Sequence, residues 1–346
     1  MHLERKDILK RMEYFHVPGI SMAVIDKGQI SWADGFGTLE AGKKKTVQSN
    51  SIFSACSISK FATSMLVLKL VEQEILDLDE NINNKLISWK APNNEFTQKK
   101  PVTLRSLLCH QSGIMDPDNS FGVLKSDDML PSMVELLEGK SHFCLIPIEV
   151  MAEPWSEFHY SDAGYCIIQL VIEDVVKKPF HQVINEFIFE PLQMKNSTYT
   201  LKTNGESFSY GHYKSGKMVE EKYPIYPYPA SSGLWTTPID LAHLVIDFMG
   251  ALKGESELGI SVERAIEMIT PHGGREWAGL GVFLYGSGNE LEMTSLGWGV
   301  GFQCMLASLP HKQSAAVIMT NAELGKHQME GIIGEIYEAV LIDRFI

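Results

Sequence analysis

A chain of 346 residues with 45% hydrophobic and 21% charged residues has the composition of a globular protein, long enough for one large or two ordinary domains. A net charge of −13 argues against nucleic-acid binding and against attraction to anionic membranes, and no basic run offsets it. No apolar run reaches the length of a membrane span, and residues 1–8 lack the core of a signal peptide, so the sequence as it stands reads as cytoplasmic, or as exported if a leader was removed.

Residues 5–15 carry Ile8, Leu9, Met12 and Phe15 at helical spacing, and Val17-Pro18-Gly19 ends that helix. Two β-like runs follow at 20–25 and 29–33, joined by Asp26-Lys27-Gly28, a hairpin signal. This start favours an antiparallel sheet edge over a βαβ unit. A very apolar stretch from about 53 to 76 is expected to form one helix, closed by Glu72-Gln73-Glu74. After a polar, loop-rich region, 103–113 reads as a helix from a Thr103 cap to Gly113. Further helices are expected near 130–137, over 163–176 and over 180–189. Prolines alternate through 223–230 and rule out regular structure there, which suits a pocket rim or plain packing equally. Helices at 238–249 and 262–269 precede strands at 279–284, 290–294, 302–309 and 314–320, and a last amphipathic helix covers 330–342.

Both chain ends therefore supply strands to one antiparallel sheet, flanked by the terminal helices. The expected fold is α+β, with a sheet domain from 1–52 and 240–346 and a mostly helical lobe over 53–239. A cleft between them is the natural place for a ligand. The five cysteines, Cys56, Cys109, Cys144, Cys166 and Cys304, are odd in number and set among apolar neighbours, which suggests buried free thiols. No CxxC, HExxH or His/Cys cluster suggests a metal.

Ser57 and Lys60 form a Ser-x-x-Lys pair. On a helix, residues three apart share a face, so hydroxyl and amine can meet. Apolar surroundings would lower the Lys60 pKa and let it take the serine proton. Such a pair arises by chance about once in a chain of this size, so it needs partners. Tyr160-Ser161-Asp162, just before a helix, offers a phenol for acid–base work, or else a cap and a packing ring. The stretch 294–302, with Gly297, Gly299 and Gly301, lets a backbone approach a ligand, or else is a turn between strands.

Together these stretches resemble the serine β-lactamase and penicillin-binding-protein superfamily, in its class C-like branch of esterases, D-aminopeptidases and D,D-peptidases. The resemblance is collinear through Val17-Pro18-Gly19, residues 53–60, Leu76-Asp77-Leu78-Asp79, residues 107–113, Tyr160-Ser161-Asp162, Pro191-Leu192-Gln193-Met194, residues 232–241 and Gly301-Phe302. It implies a β-lactamase/transpeptidase-like fold, Ser57 as acylated nucleophile, Lys60 as its activating partner and Tyr160 as general base or acid. The backbone N–H groups of Ser57 and Trp298 would form the oxyanion hole. No cofactor or metal is implied, and the partner is a small-molecule or peptide substrate.

Two departures bear on that substrate. Asp162 stands where the family usually has Asn, so an amide donor is lost and Lys60 is held more firmly as an ammonium, which weakens it as a base. Ser295-Leu296-Gly297 replaces a Lys/His-x-Gly motif, so the cation that would bind a substrate carboxylate is missing. Asp162, Ser295, Leu296 and Gly297 are thus the expected substrate-binding positions. The leading expectation is a serine hydrolase acting through an acyl-enzyme on esters or D-amino acid amides and peptides. The alternative is a weakly hydrolytic penicillin-binding or acyl-D-amino peptide-binding sensor of the same fold. An α/β-hydrolase is a poor third, since there is no Gly-x-Ser-x-Gly elbow. Oligomeric state is left open.

Overall fold

The computed structural model describes residues 5–200 and 207–342. The first half contains α1 (Arg5–Tyr14), β1 (Gly19–Asp26), β2 (Gln29–Gly37), β3 (Phe53–Ser54), α2 (Ser59–Glu72), α3 (Glu95–Lys99), α4 (Leu104–Leu108), α5 (Met133–Leu137) and α6 (Asp162–Val176). The second contains α7 (Phe180–Ile184), α8 (Pro229–Ser232), β4 (Trp235–Thr236), α9 (Pro238–Ala251), α10 (Val262–Met268), β5 (Phe283–Tyr285), β6 (Glu292–Gly299), β7 (Phe302–Leu309), β8 (Ser314–Thr320) and α11 (Ile332–Tyr337).

Six strands form one antiparallel sheet in the order β2-β1-β8-β7-β6-β5, so the two chain ends meet at the β1–β8 pair. The hairpin between β1 and β2 turns at Lys27 and Gly28, both at positive φ, which matches the twist of the flanking strands. Along β1, side chains alternate between two cores. Met22 and Val24 pack under α1 and α11 with Ile8, Met12, Ile332 and Ile336, while Ala23 and Ile25 face the helical body with Phe61, Leu66, Leu244 and Phe248. A strand covered on both faces is buried along its length and mostly apolar, as β7 and β8 are throughout and β1 is up to Asp26.

The stretch 53–76 is not one helix. Phe53 and Ser54 pair with Thr236 and Trp235, the chain bends through a 3-10 turn at Cys56–Ile58, and α2 begins at Ser59. Hydrogen bonding explains the break. The Ala55 N–H donates to Leu234 O at 2.8 Å, and Ser59 Oγ accepts from the Leu234 N–H at 3.0 Å while donating to Cys56 O at 2.6 Å. Cys56 itself is left-handed, with φ 47, which no helix interior accepts. From Ser59 to Leu68 every residue of α2 is buried, so this helix is central rather than amphipathic and carries Lys60 into the core.

Other boundaries shift for similar reasons. The expected helix 103–113 shortens to α4, closed by a Thr103/Ser106 capping box at one end and by left-handed His110 near the other. In place of 130–137, α5 starts at Met133, capped by Ser132. The expected 279–284 strand reduces to β5, and β6 extends past 294 to Gly299, so Gly297 and Gly299 lie in a strand rather than in a turn. The helices expected over 180–189 and 330–342 each end in a looser π turn. Among the described residues no helix is long and apolar enough to cross a membrane.

Candidate active site

The 3-10 turn holds Ser57 just ahead of α2, and Lys60, the second residue of that helix, points its Nζ back to Ser57 Oγ at 3.2 Å. Lys60 is 2% exposed, so its charge needs partners. It donates to Asp162 Oδ1 at 2.7 Å and to Ser231 O at 3.3 Å, and lies 4.6 Å from the centre of the Tyr160 ring and 5.5 Å from that of Tyr165. The Ser231 hydroxyl donates to the same Asp162 oxygen.

The expected low Lys60 pKa is corrected. Burial does press it down, but the opposing charge of Asp162, with Tyr160 and the hydrogen bonds, outweighs burial and holds the amine as an ammonium well above its ordinary range. Burial raises Asp162 in turn, yet Lys60 and Ser231 bring it below the ordinary carboxylate value. The pair is an ion pair at neutral pH.

Asp162 is placed by the start of α6. Ser161 caps that helix through Gly164 N–H at 3.0 Å, and Asp116, from a distant loop, accepts from Ser161 Oγ at 2.8 Å, Asp162 N–H at 2.8 Å and Ala163 N–H at 3.0 Å. A carboxylate at a helix N-terminus is favourably placed. Ser161 N–H also donates to His110 Nδ1 at 3.1 Å, so the neutral imidazole carries its proton on Nε2. The His110 ring lies 4.4 Å from that of Tyr160. Burial, then the Lys60 charge, push the His110 pKa down to about 3.

Ser57, Lys60, Tyr160, Ser295 and Leu296 border one cleft, with His110, Phe158, Val282 and Phe283 completing its walls. Ser295 is buried there; the Leu296 side chain turns to the opposite core, beneath α1 and α11, so that residue offers the cleft its backbone. Gly297 sits beneath the Ser57 turn, where a Cβ would overlap Ala55 O and Cys304 Sγ. Trp298 follows in β6 and is 48% exposed, and β5 pairs with β6 only at Glu292–Thr294, so among the described residues no strand covers that edge further on.

The site also uses Asp116 and Ser231, which carried no sequence signal, together with His110 and Tyr226, to which the sequence assigns no individual role. His110 lay in the quoted 107–113 stretch, which was the available signal for it. The Tyr/Pro loop resolves as packing beside the site. Tyr226 Oη accepts from Val300 N–H at 2.9 Å and occupies the space that a Cβ on Gly299 would need. All five cysteines are free and buried. Among the described residues, no group of three or more His, Cys, Asp or Glu side chains is arranged to hold a metal ion.

The chain is similar to several known proteins. Protein flp of Staphylococcus aureus (strain MW2) is 27% identical over 224 residues, 64% of this chain and 42% of its own length. Teichoic acid D-alanine hydrolase of Staphylococcus aureus (strain MRSA252) is 25% identical over 230 residues, 65% of this chain and 53% of its own. The chain thus spans about half the length of these curated relatives. Among solved structures, the octameric penicillin-binding protein homologue from Pyrococcus abyssi superposes with a TM-score of 0.79 at 23% identity, covering 98% of this chain and 76% of that one; this likeness carries the fold. The model of the family described as Beta-lactamase matches residues 5–338, and the chain accordingly belongs to the beta-lactamase family.

Proposed function

We propose that the protein is a β-lactamase-related serine hydrolase that forms an acyl-enzyme on Ser57, with esters or D-amino acid amides and peptides as its substrate class. The observation that carries this reading is the 3.2 Å approach of buried Lys60 Nζ to Ser57 Oγ, beneath the Tyr160 ring. Ser57 Oγ attacks the substrate carbonyl carbon. Because Asp162 keeps Lys60 protonated, Tyr160 in its phenolate form takes the serine proton and becomes the phenol that later gives it up, and Lys60 serves as the fixed positive charge beside both oxygens. The backbone N–H groups of Ser57 and Trp298 receive the developing oxyanion. The bond to the leaving atom breaks as Tyr160 returns the proton to it, and water then releases the acid from Ser57 by the reverse relay. Similarity to a relative named as a hydrolase supports this reaction class.

A second reading, a binding protein of low turnover, is favoured by the Lys60–Asp162 lock and by the uncharged Ser295. One experiment separates the two. The protein and its Ser57→Ala variant are incubated with a p-nitrophenyl ester, a chromogenic cephalosporin and a fluorophosphonate probe, and intact masses are taken. Labelling with turnover, both lost in Ser57→Ala, supports the hydrolase. Labelling without turnover supports the binding protein, and turnover that survives in Ser57→Ala sinks the acyl-enzyme.

A further inference from the structure

Four aromatic rings form one wall beside the cleft that holds Ser57. The Tyr160 ring stacks 6.4 Å from that of Phe283, Phe283 lies 6.2 Å from Trp277, and Trp277 meets Phe158 edge-on at 4.4 Å. Two of the rings reach the surface, with Tyr160 42% and Trp277 38% exposed, while Phe158 and Phe283 are half-buried. The loop that carries it is seated firmly on the helical body. Gly281 N–H donates to Leu108 O at 2.9 Å, and its φ of +74 with Ser64 Oγ directly behind leaves no room for a side chain. Leu284 N–H donates to Trp277 O at 2.9 Å, which ties the tryptophan to β5.

Where Tyr160, Phe158 and Phe283 border the cleft, the wall offers apolar area and no usable charge; Trp277 lies just beyond that lining. Among the residues lining the cleft, Lys60 carries the ammonium, and it is committed to Asp162. His110 is neutral, and no carboxylate lines the space. Ser295 adds a hydroxyl. A carboxylate moved against these rings would lose its water and gain no cation, a large penalty. A neutral ring would gain stacking and burial instead.

The part of a substrate that meets this wall follows from the role of Tyr160. If Tyr160 hands its proton to the leaving atom, that atom sits within hydrogen-bond reach of Tyr160, and whatever it carries extends along Phe158, Phe283 and Trp277. We propose that the ring wall is the leaving-group subsite, and that it takes a neutral, planar, apolar alcohol or amine and discriminates against one bearing a carboxylate. This rests on the acyl-enzyme reading above. In the step itself, the acyl carbon bonds to Ser57 Oγ, its bond to the leaving oxygen or nitrogen breaks, and the Tyr160 proton goes to that atom, so the alcohol or amine departs neutral.

Three acetate esters test it on the full chain: methyl 4-acetoxybenzoate, its carboxylate twin 4-acetoxybenzoate, and vinyl acetate as a small reference. The wild type is expected to favour the neutral aryl ester over its twin by roughly tenfold or more in kcat/KM, mostly through KM. Trp277→Ala is expected to lower the ratio of aryl to vinyl ester by roughly tenfold, and Trp277→Phe, which keeps a ring, to restore most of it. Equal kcat/KM for the twin esters overturns the subsite, as does an equal loss on aryl and vinyl esters in Trp277→Ala. The Ser57→Ala variant separates the levels. Turnover lost in Ser57→Ala with no selectivity in the wild type overturns the subsite alone, whereas turnover that survives in Ser57→Ala overturns the acyl-enzyme reading and the subsite with it.

Discussion

Lys60 Nζ stands closer to Asp162 Oδ1, at 2.7 Å, than to Ser57 Oγ, at 3.2 Å. The carboxylate, rather than the hydroxyl, therefore sets the charge of the lysine. Asp162→Asn keeps the shape and removes the negative charge. Whichever group accepts the serine proton then loses a destabilising neighbour of its basic form, so its titration moves down. The acidic limb of the kcat/KM profile with a p-nitrophenyl ester is expected to shift to lower pH by about one unit. A limb that stays in place, or moves up, contradicts the control of this site by Asp162.

Gly297 is the contact through which β6 meets the Ser57 turn. A methyl group there overlaps the Ala55 carbonyl, which is backbone and has nowhere to go, and Cys304 Sγ behind it. Gly297→Ala is expected to cost about 1–3 kcal/mol of stability by overpacking and to displace the turn. A displacement of about an ångström between nucleophile and oxyanion donors is expected to lower kcat about a hundredfold. Urea unfolding and steady-state kinetics check both. Near-wild-type kcat in a folded Gly297→Ala protein would show that the turn does not need this approach.

Ser295 borders the cleft, and the family resemblance expects a carboxylate-binding cation at this position. Ser295→Lys places an ammonium in a buried spot near Lys60, so a loss of stability accompanies it. Its expected gain is on substrates that carry a carboxylate: a lower KM for 4-acetoxybenzoate and measurable turnover of a chromogenic cephalosporin, with no gain on the neutral ester. An unchanged KM across both esters would mean that this strand does not meet the substrate's charged end.

The strands at 302–309 and 314–320 were legible because both faces of the sheet are covered, which demands long apolar runs with clear turns between them. The meeting of Ser57 and Lys60 was also legible from their spacing, although the geometry that achieves it is a 3-10 turn followed by the first turn of α2. The apolar sequence around Lys60 pointed to a lowered pKa. The partner that reverses that direction, Asp162, is 102 residues away, and its hold on the ammonium was legible only through the family resemblance, since local sequence does not display the packing that joins the two. Asp116 and Ser231 left no signal for the same reason, since a carboxylate from a distant loop and a hydroxyl from the short helix α8 make no local pattern with the residues they meet. The glycines of β6 read as a turn because their reason for being small is the chain packed against them, not the conformation of their own backbone.

The His110 imidazole carries a prediction about stability rather than rate. It is buried between Tyr160 and Tyr165, near Lys60 and Asp162, with Nδ1 occupied by the Ser161 N–H. Its pKa falls from the ordinary 6.5 to about 3 in the folded protein, first through burial and then through the Lys60 charge. Below pH 6.5 the unfolded chain binds a proton at this residue that the folded chain refuses. The stability it contributes is thus full above pH 6.5 and is lost as pH falls toward about 3, at up to about 1.4 kcal/mol per pH unit. His110→Asn retains an acceptor for the Ser161 N–H and removes the titration. Urea unfolding of both proteins between pH 7 and 4 is expected to give the variant a shallower dependence by close to one proton, even if it is less stable at pH 7. Parallel curves for the two proteins would show that His110 takes up its proton in the folded state.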